Sequence, residues 1–471
     1  MFETHPLYFW ASIYLGVVLL YFMYQYDLVS IPALFASVLI YPALVPFITA
    51  YVYNVEHFTI RGAEYEAVAT ANRVVLLVAL FLTAAAVVLR TLEAWNSDTY
   101  QKLKAHDLSL PYNPFAFSLL GLIALVSVYL IAPGPTILSS TYSQQNPFPW
   151  ATFAGSLYKG AWALMFALVV TTYTRNRRYL FFLGVTLVGT TWLLLHGRRV
   201  ESVGMMALLF ADLFWHRWDL RICELPFDIR GWVLSIAGGL YGTALVVVGR
   251  VRTSAYQPSS GSASSSGSTS GSGSVSSSSA DIASEMAETL QYADGFVGLP
   301  GGAHGTYGTM QATVHLFTEQ YNYLYGETFV NYVVQVIPTP VLRLLNVSPP
   351  PMYHDLLQAN YNWNGGNYIL NVYFANFGIF GVLLAGLLLA LLLHFLQTEL
   401  RVNRPKPTVF TAVAALLFIN LLRALWYTQL NWVDGLQGLT AIFLIYYGIC
   451  VLGVADKRQH VTQKEMKKLK F

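Results

Sequence analysis

Long apolar runs alternate with short polar joints along most of the chain. A helix crossing the hydrocarbon core of a bilayer needs about 20 mainly apolar residues, with roughly 17–25 tolerated. By that rule the pattern predicts about eleven spans. They fall near 8–26, 31–52, 73–91, 114–133, 160–174, 179–195, 200–214, 229–249, 367–395, 408–427 and 437–455. The fifth to seventh are short, which little tilt or shielding by neighbours accommodates. Pro32, Pro42 and Pro46 lie in the second, so a kink or break is expected there.

One interval breaks the rhythm, the segment 251–366. Ser259 to Ala280 is nearly pure Ser and Gly, a flexible coil that builds no core and reaches roughly 25 Å. Asp281–Tyr292 reads as a short helix opened by its aspartate. Gly298–Gly308 is glycine-rich, and a second helical stretch runs from about Met310 to Tyr325. Phe329–Ile337 is apolar and aromatic, after which Pro338, Pro340 and Pro349–Pro351 interrupt regular structure. A loop this long is usually functional or disordered. Its aromatic residues predict that the second half folds against the membrane surface. The expected fold is all-α: a polytopic integral membrane protein with eight spans in 1–250, one long external loop carrying short helices in 251–366, and three spans with a basic tail in 367–471.

Composition agrees with the pattern. The chain is 55% hydrophobic and 11% charged, with mean hydropathy +0.49, against about a quarter charged in soluble domains. A net charge of +3 gives no reason to expect a nucleic-acid partner. Cys223 lies in a short basic loop and Cys450 in an apolar run, so no disulfide framework is expected. The N-terminus shows neither a basic leader nor a small-residue cleavage site, so the first span is expected to be kept.

Charge sets the expected orientation. Arg175–Arg178, the stretch Trp215–Arg230, Leu396–Pro407 and the tail from Lys457 are the basic joints. With eleven spans all four fall on one side, the cytoplasm by the positive-inside rule. The N-terminus, the turn at Arg198 and Arg199, and the segment 251–366 then lie outside.

Several arginines run against that rule. Arg198 and Arg199 end the sixth span, Arg250 ends the eighth with Arg252 beyond it, and Arg423 lies inside the tenth. A charge at mid-span costs about 2.5–3.5 kcal/mol and usually faces a polar cavity or a partner. Guanidinium groups keep their charge and bind phosphate with paired hydrogen bonds. Arginines meeting under the outer face would hold a lipid-linked pyrophosphate. Purely structural readings stand beside this one: Arg250 and Arg252 snorkelling to head groups, Arg198 pairing with Glu201, and Arg423 pairing with Asp434 or Asp212.

Tyr353-His354-Asp355 sets a histidine beside a carboxylate, the composition of a general base near neutral pH, or of an ordinary surface histidine. Asn360 to Asn367 offers amides and aromatic rings suited to sugars, or to an interfacial belt. Glu64-Tyr65-Glu66 has acid-x-acid spacing, a weak metal signal. His304 and His315 are too isolated for zinc, and no nucleotide-type phosphate loop is present. No metal and no cofactor are expected.

Four stretches in this order resemble the Wzy-type polymerases of bacterial O-antigen and related envelope polysaccharides. They are His196-Gly197-Arg198-Arg199-Val200-Glu201; the long loop after an arginine-ended span; Tyr325-Gly326-Glu327-Thr328-Phe329 leading into Val336–Leu342; and Gly365-Gly366-Asn367 leading into Asn376–Gly381 with Arg423 in the next span. The resemblance covers about 180–430. It implies a metal-independent glycosyltransferase with a helical fold like the lipid-dependent C class, in the bacterial inner membrane, that joins undecaprenyl-pyrophosphate-linked repeat units on the outer face. It implies that Arg198, Arg199, Arg250, Arg252, Arg423 and Asn367 contact the pyrophosphate or substrate, and that His354 or Asp355 activates the acceptor hydroxyl. Implied partners are the polyprenyl-pyrophosphate-linked oligosaccharide, membrane lipid, a chain-length regulator and a flippase. Two departures are visible: Gly366 stands where related ligases carry a histidine, and Thr339 where the family often has arginine. The rival expectations are an O-antigen ligase and a transporter of lipid-linked oligosaccharide.

Overall fold

The computed structural model describes residues 6–26, 30–47, 57–60, 63–94, 109–132, 151–170, 176–196, 199–218, 220, 227–254, 309–310, 312–334, 337, 342, 344–348, 352–361, 368–402, 408–424 and 435–452. A helix stands at each of the eleven apolar stretches. They are α1 (Pro6–Tyr26), α2 (Ile31–Phe47), α3 (Ala67–Ala94), α4 (Pro114–Ile131), α5 (Ala151–Val170), α6 (Asn176–Leu195), α7 (Arg199–Asp212), α8 (Ile229–Ser254), α11 (Ile369–Gln397), α12 (Val409–Ala424) and α13 (Gly435–Leu452). Short helices α9 (Glu327–Val334) and α10 (Tyr353–Tyr361) lie in the long loop. By length and composition, six helices among the described residues can cross a membrane: α3, α4, α5, α6, α11 and α13. The chain is a nearly all-helical, multi-pass membrane protein. Among the described residues the departure from all-α is a two-stranded antiparallel hairpin, β1 (His57–Ile60) on β2 (Ala63–Glu66), which holds Glu64 and Glu66.

Local chemistry explains the helix starts and faces. Asn113 opens α4, its Oδ1 accepting from Phe115 N (2.9 Å) and Ala116 N (3.3 Å), and Pro114 takes the first helical position, where no N–H is needed. Leu120, Ala124 and Val128 of α4 are buried, whereas Phe115, Leu122 and Tyr129 point outward. An apolar outer face is what lipid demands and what water would penalise. In α5 every residue from Tyr158 to Val170 is buried, Lys159 included. This helix starts nine residues before the expected 160, so Lys159 lies within it rather than ahead of it. It is the central post of the bundle, packed on α4, α6 and α12.

Contacts between helix ends gather several joints at one end of the bundle. Ile31 N donates to Gln397 Oε1 (3.1 Å), and Arg401 Nη1 to the Tyr26 carbonyl (2.8 Å). His216 Nε2 donates to the Leu400 carbonyl (2.7 Å) and the Tyr446 hydroxyl to that of Pro111 (2.5 Å). Ser109 bridges Thr408, and the Arg178 guanidinium lies 3.4 Å from the centre of the Tyr112 ring. Arg178, Arg217 and Arg401 therefore share this end, called the basic end below. Single π-helical turns, Leu213–Arg217 after α7 and Thr398–Val402 after α11, carry His216 and Leu400 to each other. At the opposite end Trp192 Nε1 donates to the Ala132 carbonyl (3.0 Å), joining α6 to α4.

Two expectations are corrected. α2 runs unbroken from Ile31 to Phe47, through Pro42 and Pro46. The broken helix is α11, where Gly378 has φ 60 and ψ −140. A Cβ on Gly381 would strike the carbonyl of Tyr373, whose carbon would lie 2.7 Å away. In a straight helix those residues are separated by about 12 Å along the axis. The chain therefore turns back sharply at Gly378, and α11 is two segments, not one span over 367–395. The second correction concerns the long loop. Thr309, Met310, Thr313 and Leu316 are fully buried, and the apolar ones belong to the main core. Here the loop enters the bundle rather than lying on a surface. The Ser/Gly stretch, the helix expected at Asp281–Tyr292 and Gly298–Gly308 are outside the described residues.

Candidate functional site

The site is built where α7 crosses α12. The two run antiparallel, because the end of α7 meets Leu400 just ahead of α12. They touch backbone to backbone: a Cβ on Gly204 would lie 2.7 Å from the Ile419 oxygen and 2.9 Å from its Cα. Only glycine allows so close an approach. Arg199 precedes Gly204 by five residues, about 7.5 Å of rise, and Arg423 follows Ile419 by four, about 6 Å. Both arginine backbones thus rise to one level above the crossing, away from the basic end. Arg250 and Arg252 lie in the last turns of α8, which leaves the basic end after Asp228 and packs on α7. Four of the expected arginines are therefore at one end of neighbouring helices. Arg198 and Asn367 lie outside the described residues, as does Asp434.

Asp212 does not serve Arg423. It is thirteen residues beyond Arg199 on α7, about 20 Å further toward the basic end. There it is 1% exposed, beside Tyr179 and in the field of Arg217. Arg217 Nη2 donates to the Val169 carbonyl (3.3 Å), and its guanidinium stacks 4.0 Å from the Tyr179 ring centre. This cluster ties α5, α6 and α7 together.

A second constellation joins two of the stretches singled out in the sequence, Tyr325–Phe329 and Asn376–Gly381. The turn at Gly378 releases carbonyls that the helix would otherwise bind, and the loop answers them. Leu324 N donates to the Ala375 carbonyl (3.0 Å) and Tyr325 N to that of Asn376 (3.1 Å). The buried Asn376 side chain accepts from Gly326 N (3.0 Å) and Thr328 N (3.4 Å) at Oδ1 and donates through Nδ2 to the Val372 carbonyl (2.7 Å). Phe329 stacks on Phe377 with centroids 6.1 Å apart. Tyr323 fills the space a side chain at Gly378 would need, its ring carbon 2.8 Å from such a Cβ.

His354 and Asp355 sit in the first turn of α10. Asp355 Oδ2 accepts from Met352 N (3.1 Å), which makes this carboxylate a helix cap. Tyr353 beside them is buried, and burial holds its hydroxyl well above the usual phenol range.

Sequence reasoning passed over Lys159, Asn371 and Asn420, all buried, and took in Asn376 only as the start of the Asn376–Gly381 stretch. The signal was present: a lone charge or amide within an apolar run is costly unless used. Comparison of the chain with family models, with curated proteins and with solved structures finds no match.

Proposed function

We propose that this chain is a polymerase that joins polyprenyl-pyrophosphate-linked oligosaccharide repeat units into an envelope polysaccharide at the outer face of a bacterial cytoplasmic membrane. In this reading all eleven apolar helices span, the basic end is cytoplasmic, and the N-terminus and the loop 251–366 are outside. The observation that carries the reading is the Gly204–Ile419 crossing, which brings Arg199 and Arg423 to one level at the end opposite the basic joints. Two guanidinium groups there fit a leaving pyrophosphate and offset the charge that develops on it as the glycosidic bond breaks. Arg250 and Arg252 extend the same positive end. His354 is the proposed base for the acceptor hydroxyl. Asp355 is its sequence neighbour and the alternative base, with one oxygen already engaged as a cap.

The test is direct. Purified protein is incubated with a synthetic pyrophosphate-linked repeat unit in the presence of a chelator, and products are resolved on a gel. A ladder spaced by one repeat unit is expected. Transfer to a separate lipid acceptor without a ladder would assign a ligase. The break in α11 favours a second reading, because transporters build their sites from interrupted helices. Movement of the lipid-linked sugar across vesicles, with no bond formed, would establish that reading instead.

A further inference from the structure

The first segment of α11, from Ile369 to the break at Gly378, is the least expected element of the fold. Every residue from Ile369 to Asn376 is buried, while Ile379 and Phe380 just after the break are 55% and 82% exposed. Its depth follows from two hydrogen bonds. Ile31 N meets Gln397 Oε1 at the basic end, and the Tyr368 hydroxyl donates to the Leu39 carbonyl at 2.8 Å. Leu39 is eight residues along α2 from Ile31, about 12 Å. Gly378 is nineteen residues from Gln397, about 28 Å. The chain therefore descends from Gly378 back to Tyr368, toward the middle of the bundle, and the segment is re-entrant.

This places the N-terminus of a nine-residue helix inside the protein. The positive end of its dipole faces the interior. The Asn371 N–H already donates to the Tyr368 carbonyl (2.9 Å), so what the turn offers is the dipole and the Asn371 side-chain amide. Tyr368, the N-cap residue, supplies no side-chain cap, since its hydroxyl is held by Leu39. Asn371, in that first turn, is 0% exposed, and neither its Nδ2 nor its Oδ1 has a hydrogen-bond partner. Helical Cα–Cβ bonds tilt toward the N-terminus, so this amide leans over the same turn. A wholly buried amide with nothing to bind is expensive and rare. Asn376, five residues on, shows the contrast, with both its amide atoms engaged.

We infer that the first turn of this re-entrant helix is an anion-binding site for a phosphate or pyrophosphate group, with Asn371 as its amide donor. Half-helix N-termini near the middle of membrane proteins take anionic groups in this way. Only the identity of the natural ligand, the pyrophosphate of a lipid carrier, rests on the polymerase reading.

The experiment measures the thermal unfolding midpoint of the full chain in uncharged detergent. Inorganic pyrophosphate is titrated against wild type, Asn371→Leu and Asn371→Asp. Wild type should gain a saturable upward shift. Leucine keeps the volume, removes the orphan amide and should leave the ligand-free midpoint equal or higher, while weakening pyrophosphate at least tenfold. Aspartate should abolish the response. No shift in wild type, or an equal shift in Asn371→Leu, overturns the inference. In a second arm, polyprenyl pyrophosphate should act at lower concentration than phosphatidylglycerol; equal potency overturns the assignment to a carrier and gives the site to bilayer head groups. Pyrophosphate bound through Asn371 without a polymer ladder would leave this site standing and sink the polymerase reading. A ladder indifferent to position 371 would do the reverse.

Discussion

At the scale of the residue, the proposed chemistry turns on how guanidinium groups are held. Arg199→Ala and Arg423→Ala should each abolish long polymer while the protein still reaches the membrane, read from glycan gels and membrane immunoblots. Lysine at either position keeps charge and loses the paired donors, so rescue should stay below about a tenth of wild-type activity. Long chains from both alanine variants would remove the arginine mechanism. Gly204 tests positioning rather than charge. Alanine there would force a Cβ to 2.7 Å from the Ile419 oxygen, an overpacking cost of about 1–3 kcal/mol. The helices must part, so Gly204→Ala should shorten the polymer and lower the unfolding midpoint together. A variant with normal chains would show that the crossing does not set the arginine spacing.

At the scale of the element, the fold-back of α11 depends on two glycines and one amide. Gly378 adopts a backbone conformation that is strained for any side chain by roughly 1–3 kcal/mol, and Tyr323 already occupies the space. Gly381 has the Tyr373 carbonyl against it. Alanine at either should lower the midpoint sharply, with Gly381→Ala the more severe because backbone, not a side chain, is in the way. Asn376→Ala leaves the Gly326 and Thr328 N–H groups without their acceptor, at about 1–3 kcal/mol. It should also increase proteolysis within 321–328; unchanged proteolysis would mean that the ring contacts alone hold the clasp. The break was not legible beforehand because Gly378 sits in an apolar run that reads as one continuous helix. The prolines of α2 were legible and misleading, since a helix tolerates proline where neighbours satisfy the freed carbonyls.

At the scale of the whole molecule, the proposed eleven-span topology predicts sidedness. A cysteine replacing Arg177 and another replacing Ser270 should react with an impermeant maleimide from opposite faces of sealed vesicles. Labelling of both from one face would overturn the eleven-span count. Removing half of Ser259–Ala280 should leave activity within about twofold, as expected for a coil of that composition.

What the sequence determined alone is the class of molecule and the places of its helices. Apolar length is read residue by residue, and a backbone in lipid has to satisfy its own hydrogen bonds, so runs such as 114–133 could only be helices. Charge asymmetry likewise marked the joints that meet at the basic end. Only the tertiary structure decided which helices touch. Gly204 against Ile419 joins positions over two hundred residues apart, and no periodicity encodes that pairing. The same holds for Asp212, which looked free to pair with Arg423 until the direction of α7 carried it about 20 Å away. Re-entry of the 369–377 segment is of this kind too. It is stabilised by amides from 324–328 and a carbonyl of α2, groups remote in the chain; the asparagines of α11 signal a need for polar partners but do not say which groups supply them.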